Sequence, residues 1–191
     1  MKKKREPRPA VAKLSQKGAP VKFAVETRPA DEAPASVEYT WDPDTDILSA
    51  QLSPRARAGE EGDGGSATVG LEGRDGSWLI LDVAAGRING VEVAVWPDVR
   101  KLPALHPPSQ VEDAEVVLPK RSGQADVGAV EMETRLVAEA DSDQRNFHFR
   151  VGAPRLARTV RVARDLLVDV DDKNRISGVW LLNVPPCPTE L

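Results

Sequence analysis

The chain has 191 residues, a formal net charge of −4 and a hydrophobic fraction of 40%, which is enough apolar material for a folded core. No apolar run reaches the roughly 18 residues of a membrane-spanning helix, and the cationic N-terminus lacks the apolar stretch of a signal peptide, so we expect a cytoplasmic protein without membrane contact. The single cysteine, Cys187, excludes an intrachain disulfide framework and a cysteine-based zinc cluster.

The charge is unevenly distributed along the chain. Residues 1–28 carry a net charge of +7 and the remainder carries −11, so arm and body should attract each other at low salt. We predict that residues 1–36 form a disordered, basic, proline-rich arm, because their apolar side chains are small and scattered. The arm offers candidate phosphate contacts at Lys2, Lys3, Lys4 and Arg5, although no aromatic residue is interleaved with them for base stacking.

Residues 37–97 are predicted to form a first β unit. The segment VEYTW from Val37 alternates apolar and polar residues, as a half-buried strand does. The following DPDTD, Asp42 to Asp46, is a turn in which aspartate side chains bond nearby backbone. A second strand, ILSAQL, precedes a polar, glycine-rich loop over residues 53–66. Two further apolar segments, SWLILDV and INGVEVAVW, complete a predicted antiparallel meander.

The phrase RINGVEVAVW near residue 90 recurs as RISGVWLLNV near residue 178. An alignment that matches Asp44 with Asp141 also brings Ala50 opposite Phe147, and it continues in the same order, with gaps in loops, to Pro97 and Pro185. We therefore predict an internal duplication, with a second β unit at 129–187, a proline-containing connector at 98–128 and a tail at 188–191. The predicted fold is mainly β, with little helix: two tandem antiparallel β-meander units forming a pseudo-dimer. A β-rich α+β fold is the alternative, and Val111–Leu118 reads either as an edge strand or as a helical turn.

The last strand of the second unit is apolar on both faces, whereas its counterpart in the first unit carries Glu92 on the outer one. An apolar outer face needs a cover. We predict that Trp180 and Leu182 lie in a contact between the two units or with another subunit, with Val184 and Trp96 as further interface candidates. The alternative is that connector residues lie over them.

The stretches YTWDPDTDILSAQLS and LILDV…GRINGVEV together resemble the YuzE-like domain of unknown function. The matching positions are Tyr39, Asp42, Pro43, Asp46, Leu52, Ser53, Asp82, Gly86, Arg87, Gly90, Val91 and Glu92. The second unit keeps Asp143, Asp169, Asp171, Asp172, Arg175, Gly178 and Val179 but has Trp180 in place of the glutamate. The resemblance implies a small antiparallel sheet with little helix, and it brings no established activity.

Two aspartates, Asp82 and Asp169, occupy equivalent interior strand positions, where a buried carboxylate needs a partner. Arg87 and Arg175 follow across the predicted hairpins, so we predict structural Asp82–Arg87 and Asp169–Arg175 pairs. The two histidines, His106 and His148, are predicted to be ordinary surface residues.

The chemistry-bearing motifs are otherwise weak. DPDTD and EADSD place carboxylates at alternate positions, but they lack the glycine and glutamate spacing of a calcium-binding EF-hand loop. The glycine-rich loop lacks the spacing of a phosphate-binding P-loop. We therefore expect no metal and no cofactor.

These features favour a non-enzymatic binding or scaffold module that acts through a protein–protein interface. A regulatory module is one version of this hypothesis. Its partner would be an unidentified protein or a second copy of the chain. One alternative is nucleic-acid association through the basic arm. Another is an acid/base enzyme built around Asp82 and Arg87.

Overall fold

The computed structural model describes residues 24–30, 33–53, 66–118 and 129–188, which form fourteen β-strands and no helix. The strands are β1 (Glu26–Pro29), β2 (Ser36–Asp42), β3 (Ile47–Ser53), β4 (Ser66–Gly73), β5 (Trp78–Ala84), β6 (Arg87–Val95), β7 (Val99–Leu102), β8 (Val111–Val117), β9 (Ala129–Thr134), β10 (Leu136–Asp141), β11 (Phe147–Val151), β12 (Ala157–Ala163), β13 (Leu166–Asp171) and β14 (Ile176–Leu181). They join in one curled sheet of mixed direction, which confirms the prediction of a mainly β fold. No helix that is long and apolar enough to cross a membrane occurs in this part of the chain.

The first half of the chain contributes β2 to β6, which we call unit one. These strands are antiparallel and lie in the order β2-β3-β6-β5-β4. In a meander β4 would lie beside β3, so the predicted strand order is wrong: β6 occupies that position, and β4 forms the far side. The arrangement places β6, whose inner side chains are fully buried, between two neighbours.

The second half contributes β10 to β14, which we call unit two, in the order β10-β11-β14-β13-β12. This is the order of unit one, strand for strand. The registers also agree, because Asp82 lies opposite Gly90 and Asp169 opposite Gly178. The shared order supports the proposed duplication.

The first hairpin of each unit aligns differently from the sequence prediction. Leu48 pairs with Val93, and Phe147 pairs with Leu181, so Leu48 corresponds to Phe147 and not to Arg145. The error is two residues. A shift of two keeps every side chain on the same face of a strand, so alternation alone cannot detect it.

Segments outside the two units add strands to the same sheet. The connector supplies β7, parallel to β10, and β8, parallel to β12, so Val111–Val117 is a strand, as one of the two alternatives held. It is not an edge, because β1 pairs with its other side. The next strand, β9, runs parallel to β4 of unit one.

The end of the predicted disordered arm is ordered. Residues 26–29 form β1 because they pair with an edge of β8. Val25, which precedes β1, is buried in the hydrophobic core. Pairing with a strand some 90 residues away has no local signal. Residues 1–23, 31 and 32 of the arm lie outside the described residues, as does most of the loop at 53–66.

The inner faces of both units line one hydrophobic core. Its fully buried members include Leu48, Leu79 and Leu81 from unit one and Phe149 and Leu181 from unit two. Burying each side chain of this size stabilises the fold by about 1.5–3 kcal/mol. The core therefore holds the two units together and leaves their outer faces as the surfaces on which a site can form.

Candidate functional site

The outer face of unit two holds a buried polar cluster centred on Asp169. Val168 and Val170 point into the core, so alternation turns Asp169 outward on β13. Its carboxylate accepts hydrogen bonds from Thr159 Oγ1 at 2.6 Å, His148 Nε2 at 2.9 Å and Trp180 Nε1 at 3.1 Å. We call these four residues the Asp169 cluster.

Burial raises the pKa of Asp169, but the hydrogen bonds from His148 and Thr159 outweigh burial and hold that pKa below its ordinary value. An ionised carboxylate only accepts hydrogen bonds, so the bonded Nε2 of His148 carries a proton. The imidazole also stacks on the Trp180 indole, with ring centroids 3.9 Å apart and planes 8° from parallel. The histidine is thus fixed on two sides.

A carboxylate that orients a histidine is one part of a catalytic triad, but the side chains of Asp169 and His148 are each only 12% exposed, and the connector covers the neighbouring Trp180. Leu105 packs on Leu167 and Trp180, with Leu102 and Val111 beside them. Leu105, Leu167 and Trp180 are all buried. The Asp169 cluster is therefore a satisfied polar core beneath a cover supplied by the chain itself.

The four predicted interface residues fall into different places. Trp180 and Leu182 pack with Leu105 in the connector, which is the alternative stated for them. Val184 is buried in the main core. Trp96 contacts unit two, since its ring centroid lies 5.2 Å from that of Phe147, and the Leu182 carbonyl accepts a hydrogen bond of 2.8 Å from the Tyr39 hydroxyl of unit one. The four candidate phosphate contacts in the arm lie outside the described residues.

Among the described residues, the corresponding outer face of unit one has the same frame without a cover like that of Leu105. Asp82 corresponds to Asp169, and within the described part of the chain it accepts one side-chain hydrogen bond, 2.8 Å long, from Gln51 Nε2. Glu92 corresponds to Trp180 and accepts a hydrogen bond of 3.3 Å from Ser49 Oγ. Asp82, Gln51 and Glu92 are all half-buried rather than covered.

The middle of this face is apolar. Ile80 lies opposite Glu92 and Gly70, and it is half-exposed. The Trp78 indole lies over Gly70, where an added Cβ would come within 2.7 Å of Nε1. That Nε1 is buried and has no hydrogen-bond partner among the described residues.

Carboxylates surround Trp78 and Ile80, and registers place them on the same side of the sheet because directly opposite residues share a face. We call this surface the acidic face; its carboxylates are those of Glu38, Glu72, Asp82, Glu92, Glu131 and Glu133. It combines an apolar centre with an acidic rim.

The predicted aspartate–arginine pairs are wrong. Asp82 bonds Gln51, and Arg87 is ion-paired with Glu115 at 3.1 Å. Arg175 bonds Asp171, with Nη2 2.7 Å from the carboxylate, since these two residues close the hairpin directly opposite each other. Without an Asp82–Arg87 contact, the acid/base enzyme loses its predicted centre.

Asp171 forms ion pairs with both Arg155 and Arg175. Burial raises its pKa, but hydrogen bonds from Arg175 and from nearby backbone, with Arg155 3.0 Å away, lower it below the ordinary value. In the described ranges no group of three or more His, Cys, Asp or Glu side chains is placed to hold a metal ion.

His148 is the residue that sequence reasoning missed. It was predicted to be an ordinary surface side chain, yet its side chain is 12% exposed and bonded to Asp169. The available signal was an outward aspartate between the inward-facing Val168 and Val170, which requires a polar partner on the same face. His106, by contrast, is exposed, as predicted.

Comparison with known protein families finds no match to this chain. A search of curated proteins likewise finds no relative. The likeness to the YuzE-like domain thus stays a prediction that rests on the residues quoted for it.

Proposed function

We propose that this protein is a non-enzymatic binding module that holds another protein on the acidic face of unit one. The observation that carries the proposal is the difference between two equivalent surfaces. The outer face of unit two is closed by Leu105 and its neighbours, whereas that of unit one leaves Ile80 and Trp78 half-exposed.

Half-exposed aromatic and branched apolar side chains inside a polar rim are typical of a protein interface. The predicted interface thereby moves from Trp180 and Leu182, which the connector covers, to the matching positions in unit one. The alternative of nucleic-acid binding through the arm meets an acidic face, which repels phosphate, and so would depend on the arm alone.

The test compares the substitution by arginine of two apolar residues, one half-buried on the acidic face and one exposed elsewhere. Ile80→Arg places a bulky cation in the middle of the acidic face, and Leu156→Arg does the same at a site that is 91% exposed on unit two. Wild-type chain and both variants are immobilised after urea unfolding has shown equal stability, and bound proteins are quantified by mass spectrometry.

We expect to find proteins that are captured equally by the wild type and by Leu156→Arg. The same proteins should not be captured by Ile80→Arg. Self-association is included in this experiment, because light scattering on the same three samples gives their masses. Equal capture by all three samples would show that the acidic face is not the interface.

A further inference from the structure

We propose that the basic N-terminal arm, residues 1–23, occupies the acidic face of its own chain and competes there with the partner. The inference rests on the proposed function, because it names the regulation of that same surface. It is carried by charge, by reach and by the way the chain covers unit two.

The charges are complementary. In the described part of unit one the cations are Arg74 and Arg87. Arg74 lies 3.7 Å from Glu133 at the rim, and Arg87 pairs with Glu115 in β8. Among the described residues the six carboxylates of the acidic face are therefore in excess, because Arg74 opposes one of them and Arg87, which lies opposite Ala84 on the same side of the sheet, is ion-paired with Glu115. Residues 1–23 carry eight Lys or Arg and one Glu. A surface with this excess attracts cationic chain at ordinary salt.

The arm joins the sheet at Ala24, which pairs with Arg175 in the β13–β14 hairpin of unit two, and the chain then runs into β1 beside β8. Glu26 lies opposite Val117 in β8, and Val117 pairs with Arg87 at the start of β6. Two strand spacings, about 10 Å, therefore separate the beginning of β1 from β6. Glu92 is five residues further along β6, about 17 Å away. An extended arm of this length spans up to about 75 Å, so the whole face is within reach.

Unit two shows that an extended, proline-containing segment can cover such a face. The connector lies over Leu167 and Trp180 with Leu102, Leu105 and Val111, and prolines stand at 103, 107 and 108. The arm has the same make-up, with prolines at 7, 9 and 20 and isolated apolar residues between its cations. Unit one has the acidic rim that unit two lacks at Trp180, which suits the more basic segment.

The experiment uses a carbodiimide on the full-length chain, since this reagent joins a lysine amine to a carboxylate only where the two are in contact. Cross-linked peptides are identified by mass spectrometry at 20 mM and 500 mM NaCl. A 1:1 mixture of ¹⁴N- and ¹⁵N-labelled chain separates links within one molecule from links between two.

Two variants with equal loss of charge serve as a matched pair. The face variant carries Glu38→Gln, Glu72→Gln and Glu92→Gln. The control variant carries Asp98→Asn, Asp143→Asn and Asp172→Asn, three exposed carboxylates away from the acidic face. Trypsin cleavage after Lys13 and Lys17 gives a second readout, because a bound arm is cut only when it is released.

We expect low-salt links from arm lysines to Glu38, Glu72 or Glu92 within one molecule, which are lost at 500 mM NaCl. Cleavage after Lys13 and Lys17 should be at least about threefold faster in the face variant than in the wild type and the control. Links mainly to Asp98 or Asp143, or only between molecules, would overturn the proposal, as would equal cleavage rates in all three proteins. No partner is present, so this result is independent of the Ile80→Arg capture experiment.

Discussion

Removing the carboxylate of Asp169 tests whether the polar core of unit two is as tightly bonded as its geometry indicates. Asp169→Ala removes an acceptor that receives hydrogen bonds from Thr159, His148 and Trp180. Each hydrogen bond to a charged group contributes about 1.5–3 kcal/mol, and such terms are not additive. Since the Trp180 N–H is left buried without an acceptor, we expect a net loss of about 3–5 kcal/mol in the free energy of unfolding.

The equivalent position in unit one supplies the control. Asp82→Ala removes the equivalent carboxylate, which accepts one hydrogen bond from Gln51 on a half-exposed face, so its expected cost is about 1 kcal/mol. Urea unfolding followed by circular dichroism measures both. With a slope near 2–3 kcal/mol per molar urea, the midpoint of Asp169→Ala should fall by about 1–2 M.

A second variant guards against a chain that fails to fold. In Asp169→Asn the amide oxygen can accept from His148 and Trp180 while the amide N–H donates to the Thr159 hydroxyl, so most of the stability should return. The reasoning is refuted if Asp169→Ala costs no more than Asp82→Ala.

Three further outcomes follow from the same contacts. Gly178→Ala should lower the free energy of unfolding by about 1–3 kcal/mol, and Gly90→Ala should lower it less. A Cβ at position 178 would lie 2.5 Å from the fixed Asp169 carboxylate, whereas a Cβ at position 90 meets the movable end of the Gln51 side chain. Equal urea midpoints for the two variants would contradict this. Leu105→Ala should cost about 2–4 kcal/mol and shift tryptophan emission to longer wavelength as water reaches the indole beneath it, and unchanged emission would argue against the cover. The pKa of Asp171 is lower in the folded chain than its ordinary value of 3.8. Its carboxylate therefore stabilises the fold above pH 3.8, and this contribution disappears as the pH falls through the pKa of the folded state. In acid titrations Asp171→Asn should lose less stability below about pH 4 than the wild type does.

The strand pattern of each unit was accessible from the sequence, since alternation and turn residues are local properties. Asp42 illustrates this: its carboxylate accepts from the backbone N–H of Asp44, as the DPDTD turn predicts. The repeat also led to the correct equivalence of Asp82 and Asp169. What alternation could not give was the order of the strands, because β3 pairs with β6 across more than 30 residues of chain.

The candidate site was less accessible for the same reason. His148 meets Asp169 only after β14 has been inserted between β11 and β13. The sequence offered the nearer cation, Arg175, and the hairpin gives that cation to Asp171 instead. The cover over Trp180 depends on where the connector lies, and its position is decided by tertiary packing rather than by a local sequence pattern.

The added strands have a consequence for how the chain can be divided. Strand β7 follows unit one but extends the sheet of unit two, whereas β9 immediately precedes unit two but extends the sheet of unit one. Any single cut between them deprives each fragment of a strand that the other fragment carries. The two units therefore depend on each other's strands, and the many pairings between distant segments favour slow folding.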